Sequence, residues 1–355
     1  MAQDDRAIVV GICSYPGFTD LFGPENDAVA LYNWLVSPLG GDVPVENIEL
    51  IITSQFNPPF MTPAEGKPTG VRIQEAFEKL QDLASANSDR GSGLRVGRRL
   101  WIYLAGHGFG PDASENALLA ANATRIRSGS YYHVLGVYNA DYVHFAGYFD
   151  EVLLFMDCCR ERVVLPSPNR PYGPLVSAAA AKAGQRFYAF ATKWTLATRE
   201  RPMKNGQVHG VFTSLLLDGL RGSAVDPGSG DITTQSLNNY LKNEDIWRHY
   251  LDPADWNNEQ VPRKAEVVNP DADFLIASVP PPLYPVTLHL PPELTGRPAD
   301  VLRGQDLAVV EHTDCTPAEW LIQLGRGTYQ AEILTGPIQR KPFVVLGTGG
   351  VDVRF

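Results

Sequence analysis

Two short blocks carry the residue types of acyl transfer through a thiol. Asp157, Cys158, Cys159 and Arg160 close the run Glu151-Val-Leu-Leu-Phe-Met-Asp-Cys-Cys-Arg160, and His107 sits between two glycines at the end of Arg98-Arg-Leu-Trp-Ile-Tyr-Leu-Ala-Gly-His-Gly-Phe109. A cysteine nucleophile needs a neighbour that favours the thiolate, and a histidine supplies both a base and a cation. Acyl transfer also needs backbone N–H groups aimed at the oxygen that becomes anionic. The Gly108 N–H and the nucleophile's own N–H would form that oxyanion hole, with His107 holding the thiolate or protonating the leaving amine. The residues alone leave Cys158 and Cys159 both open as nucleophile.

The two blocks must be brought together by the elements that carry them. Each is an apolar run too short for a globular helix, which reads as a fully buried strand ending at its chemistry. In an open parallel sheet, sites assemble at the carboxyl ends of neighbouring strands. Arg6 to Tyr15 reads as a first strand, and Asn26-Asp27 as the cap of a helix whose apolar face is Ala28, Leu31, Leu35 and Val36. Asn47 to Thr53 is the next strand, so the chain opens with a parallel crossover unit. A proline-rich loop leads to a helix from about Gly70 to Ala84, fraying over 81–87. Residues 109–149 form a long excursion with a short strand in 116–121; Ser177 to Ala183 is a strong helix former, and Arg186 to Thr192 another strand. Trp194 to Gln207 reads as a polar loop, His209 opens a helix, Asp231-Ile-Thr-Thr marks the cap of one more through about Leu241, and 273–278 is a final strand.

Beyond a stiff proline-rich linker at 279–285, short alternating runs between turns predict a small β-sandwich over 286–355. The expected architecture is α/β over 1–278, a mainly parallel sheet flanked by helices in three layers, followed by that all-β accessory domain. A net charge of −10 without a dense Lys/Arg cluster argues against nucleic acid as partner. No apolar run is long enough to span a bilayer, the first residues lack a secretory leader's pattern, and four cysteines without disulfide or zinc spacing suit a reducing compartment, so a cytoplasmic protein is expected.

Ala-Gly-His-Gly at 105–108 and Asp-Cys-Cys-Arg at 157–160 resemble the two catalytic blocks of the caspase-like cysteine peptidases, caspases and metacaspases. Further matches are Val-Gly-Ile-Cys-Ser-Tyr at 10–15, Glu-Asn-Asp-Ala at 25–28, Glu-Asn-Ala-Leu-Leu at 115–119 and His-Gly-Val-Phe-Thr-Ser-Leu-Leu at 209–216, so the resemblance covers about residues 6–278. It implies Cys159 as nucleophile, the second residue after the strand-terminal acid, with His107 as its partner. It also implies that Asp157 lines a pocket for a basic residue before the scissile bond, giving cleavage of protein substrates after Arg or Lys. Asp20 and Glu25 are the candidates for a second pocket acid, and Trp194 for a groove wall. The chain lacks the Gln-Ala-Cys block of animal caspases, and Arg160 replaces the His-Ser-Gly of many metacaspases, which points to a bacterial-type homolog and a regulated role in defence or cell death. Arg160, Arg162 and Arg170 make the following segment a target for self-cleavage or for an upstream activating protease. The competing reading is an inactive scaffold of the same fold that binds proteins through its β-sandwich.

Plainer roles attach to the remaining candidates. His209 is read as structural because nothing apolar before it forms a strand, and His133 and His144 as solvated or packing residues. Arg160 either meets a substrate carboxylate or pairs with Asp157 or Glu161. No run of spaced acids has calcium-loop form, and no metal or cofactor is expected.

Overall fold

The structure is a computed structural model, described for residues 2–127, 129, 131–160, 172, 184–193, 196, 198–202, 206–226, 229–268, 273–279, 282–336, 339–347 and 349–355. Its centre is a six-stranded sheet built from β1 (Arg6–Gly11), β2 (Ile48–Ile52), β3 (Gly97–Gly106), β7 (Phe149–Cys158), β8 (Gln185–Phe190) and β12 (Glu266–Val268), in the order β12-β8-β7-β3-β1-β2. Five strands are parallel, and β12 closes one edge antiparallel to β8.

Strand alternation explains why the central runs are apolar at every position. On β3, Trp101, Tyr103 and Ala105 face one layer, while Leu100, Ile102 and Leu104 face the other; on β7, Leu153 and Phe155 oppose Val152, Leu154, Met156 and Cys158. The first layer holds α1 (Pro24–Val36), α4 (Val211–Asp218), α5 (Thr234–Leu241) and α6 (Glu244–Arg248); the second holds α2 (Gly70–Asp89) and α3 (Gly136–Phe145). The three-layer, mainly parallel architecture expected from the sequence is therefore present. At the amino edge, Arg99 is buried and bonds Glu151 at 2.6 Å and the Ile276 carbonyl at 2.6 Å, tying β3 to the segment that follows β12.

Smaller ladders decorate this frame. β4 (Gly108–Phe109), β5 (Ala117–Leu119) and β6 (His133–Leu135) form an antiparallel sheet in the excursion after β3, β9 (Glu200–Pro202) pairs with β10 (Val208–Gly210), and β11 (Ile232–Thr233) pairs with β13 (Leu275–Ala277). A short α7 (Pro253–Trp256) precedes β12. The C-terminal part has two sheets: β14 (Tyr284–His289) lies between β17 (Glu319–Leu324) and β20 (Val351–Arg354), and β15 (Ala299–Arg303) with β16 (Val309–Thr313), β18 (Gly327–Ile333) and β19 (Gln339–Val345) makes the other. Val286, Leu288, Val301, Trp320, Tyr329 and Val345 share one buried cluster between them.

Several expectations are corrected. α1 starts at Pro24 with Gly23 before it, so Asn26 and Asp27 lie inside the helix rather than at its cap. α2 runs on to Asp89 instead of fraying, whereas α5 is capped by Thr233, inside the stretch expected to cap it. His209 lies within β10 itself, whose partner β9 is the polar run Glu200–Pro202. The strand near 275 pairs with β11 and stands outside the central sheet, whose last member is β12. The helix read at 177–183 lies outside the described residues.

Candidate active site

The β3–β7 register pairs Ala105 with Asp157 and Gly106 with Cys158. The next residue on each strand is His107 on one and Cys159 on the other, and adjacent strands run about 4.8 Å apart. The sheet thus carries an imidazole and a thiol to neighbouring points on its carboxyl edge. The two cysteines differ sharply. Cys158 is fully buried toward α3, receives Asn116 Nδ2 at 3.4 Å, and burial holds its thiol well above the ordinary range, whereas Cys159 is partly exposed. A buried thiol whose ionisation is disfavoured is poorly suited to attack a substrate, and Cys159 is the more accessible of the two.

His107 is held on three sides. Its Nε2 lies 2.7 Å from the Thr19 carbonyl oxygen, its backbone N–H donates to the Tyr15 hydroxyl at 3.0 Å, and its ring meets Tyr15 and Phe18 with centroids 4.7 and 5.5 Å apart. A carbonyl only accepts, so Nε2 carries the proton and Nδ1 is the atom left for chemistry. Asp20 closes the loop that presents Thr19, its Oδ1 accepting from the Tyr15 N–H at 2.7 Å. Glu25 braces the same region by accepting from the Ser54 N–H at 3.0 Å.

The ladder beside Gly108 sets the direction of its backbone N–H. The Leu119 N–H donates to the His107 carbonyl at 2.8 Å, which makes His107 and Leu119 the hydrogen-bonded pair and Gly108 with Leu118 the non-bonded one. In such a ladder the N–H of a non-bonded pair points away from its partner strand. A Cβ at Gly108 would fall 2.7 Å from Cys158 Sγ and 2.8 Å from the Ala117 carbonyl oxygen, so only glycine fits.

Asp157 is buried beneath this edge. Thr198 Oγ1 donates to its Oδ1 at 2.9 Å, and Thr213 gives its Oδ2 a hydroxyl at 2.7 Å and a backbone N–H at 3.2 Å. Burial outweighs these donors and raises its pKa, with the Glu200 charge acting in the same direction. Asp27, on α1, accepts from His209 Nδ1 at 2.7 Å and the Gly210 N–H at 2.8 Å; burial pushes its pKa up to about 7, and Asp157 adds to the rise. Glu200 accepts from the Gly23 N–H at 3.1 Å and the Phe22 N–H at 3.3 Å. Among the described residues, no Arg or Lys pairs with Asp27, Asp157 or Glu200. The acids that bear on Asp157 are therefore Asp27 and Glu200, while Asp20 and Glu25 hold loop backbone.

Arg160 does not pair with Asp157, and Glu161 lies outside the described residues. The arginine is fully buried, donates to Glu266 at 3.0 Å and the Ala113 carbonyl at 3.0 Å, and stacks 4.6 Å over Phe190. His133 and His144 are both buried. Trp194 and the cleavage segment with Arg162 and Arg170 lie outside the described residues.

No protein-family model matches the chain, and no curated protein matches it in sequence. Among solved structures the chain is similar to a caspase-1 from Spodoptera frugiperda, with a TM-score of 0.45 and 14% identity over 78% of this chain and 91% of that one. No helix among the described residues is long and apolar enough to cross a membrane, and none of their side chains cluster as a metal site.

Proposed function

We propose that this chain is a caspase-like cysteine endopeptidase in which Cys159 attacks the scissile carbonyl of a protein substrate. What supports the reading is the Gly106–Cys158 pairing, after which His107 and Cys159 are the next residues on the two adjacent strands. The Cys159 sulfur forms a bond to the carbonyl carbon, and the oxygen takes up the charge against the N–H groups of Gly108 and Cys159. His107 Nδ1, having taken the Cys159 thiol proton as the sulfur attacks, delivers it to the departing amine as the C–N bond breaks, leaving a thioester. Water, giving its proton to His107, then releases the acid and restores the thiol.

The preferred residue before the cut is Arg or Lys. Asp27, Asp157 and Glu200 gather at the same end of the sheet, and a cationic side chain would supply the counter-charge that burial makes valuable. His209 already answers Asp27, so Asp157 and Glu200 are the acids with charge to offer.

The test is a peptide library read by mass spectrometry with the wild-type chain, Cys159→Ala and Cys158→Ala. Cleavage after Arg or Lys is expected from the wild type and Cys158→Ala, and none from Cys159→Ala. Equal cutting by Cys159→Ala removes it as nucleophile. Cleavage after Asp overturns the pocket, and a wild type that cuts nothing returns the fold to a binding scaffold.

A further inference from the structure

The two C-terminal sheets meet the end of α4 across a cleft of about 730 Å³. α4 runs into a π-helical turn, Gly219–Ser223, in which Gly222 adopts φ +122°, and this turn with Asn239 and Asn243 forms one wall. Leu283, Val310, Val344 and Leu346 supply an apolar wall from the other side. A volume of this size suits a small organic molecule.

Arg326 opens into that cleft. Its Nη1 donates to the Ser223 carbonyl at 2.9 Å and its guanidinium lies 4.8 Å over the Tyr240 ring. Burial lowers its pKa, and its electrostatic neighbours are the phenols of Tyr240 and Tyr284. Among the described residues no carboxylate pairs with it. Asp226 and Glu311 also line the cleft, and Arg303 is engaged by Asp306 at 3.5 Å. A half-buried cation with no carboxylate partner among the described residues leaves donors directed into the cleft, which an anion brought in by a ligand would satisfy.

We propose that this cleft binds a small organic anion, a carboxylate or phosphate head on an apolar body, with Arg326 gripping the head. Leu283, Val344 and Leu346 cover the body. Guanidinium geometry suits either head through paired N–H donors, so the head is left for experiment to choose.

Isothermal titration of the full chain with sodium octanoate and with octyl phosphate reads binding directly and needs no peptidase activity, so its failure is distinct from failure of the catalytic reading. Saturable binding at one site is expected for at least one of them, and the tighter identifies the head. Arg326→Gln should weaken it at least tenfold, with Arg326→Lys recovering part of the loss. Val344→Trp, at a half-exposed position where folding is spared, should block the cleft and remove binding. The proposal is overturned if neither amphiphile saturates, if Arg326→Gln or Val344→Trp binds as the wild type does, or if inorganic phosphate binds as tightly as the amphiphiles.

Discussion

Tyr15 is the side chain on which His107 depends most. Its hydroxyl accepts from the His107 N–H at 3.0 Å and donates to the Leu119 carbonyl at 3.1 Å, standing in the β4–β5 ladder where a direct backbone bond would otherwise run. Tyr15→Phe keeps the ring against the imidazole and leaves both backbone groups unpaired. Each orphaned group costs about 1–3 kcal/mol, so thermal unfolding should show a clear loss. Under the peptidase reading kcat should fall roughly tenfold, about 1.4 kcal/mol, with KM little changed, since Tyr15 positions the imidazole and does not meet substrate. A rise in KM at constant kcat would contradict this. Glu200 offers the complementary test, because Glu200→Gln removes the charge while keeping an oxygen for one of the Phe22 and Gly23 N–H groups, which donate to different carboxylate oxygens. Cleavage after Arg should drop roughly tenfold in kcat/KM, and an uncharged residue at the same place should gain or hold. Equal loss on both substrates would make Glu200 a loop brace alone.

At the scale of elements, α3 is anchored by one acid. Glu115 accepts from the N–H groups of Asn116, Val137 and Tyr138, each at 2.8 Å, at the start of the helix. Burial still outweighs those donors and raises its pKa from 4.5 to about 7. A carboxyl raised on folding binds its proton more tightly in the native state, so its contribution is full below about pH 4.5 and lost as pH rises through about 7. Glu115→Gln has no such titration. Its stability relative to wild type should therefore climb between pH 4.5 and 7 by on the order of 3 kcal/mol, measured by denaturant unfolding across that range; a flat difference would refute the assignment. β1, β3 and β7 were legible in sequence because burial on both faces makes each an unbroken apolar run. β12 was not, because Glu266-Val-Val268 is a half-buried edge strand of three residues, and the β9–β10 hairpin hid in a polar segment. Of the site, glycine-flanked His107 and the terminal Asp-Cys-Cys were readable. Tyr15 and the Asp27–His209 pair were not, since their partners stand 92 and 182 residues away and only the fold brings them together.

At the scale of the molecule, the apolar interior falls into separate parts. The two clusters flanking the central sheet share its strands and must come apart together, while the cluster of the C-terminal sheets contains no residue before Tyr284. Polar contacts join the two regions at one turn: the Ser223 hydroxyl meets that of Tyr284, and Arg326 reaches the Ser223 carbonyl. A seam of this kind transmits far less cooperativity than a shared core, because individual hydrogen bonds contribute about 1 kcal/mol net. Calorimetry of the full chain should then resolve two unfolding transitions. Leu288→Ala, at a fully buried position between the C-terminal sheets, should destabilise one of them by about 2–5 kcal/mol and leave the other in place. If both transitions moved together, or only one existed, the seam would have to couple the cores more strongly than its polar contacts allow. The cleft beside that seam would then act on the whole fold, and an anion bound at Arg326 would raise the stability of the central sheet as well as that of the sheets it touches.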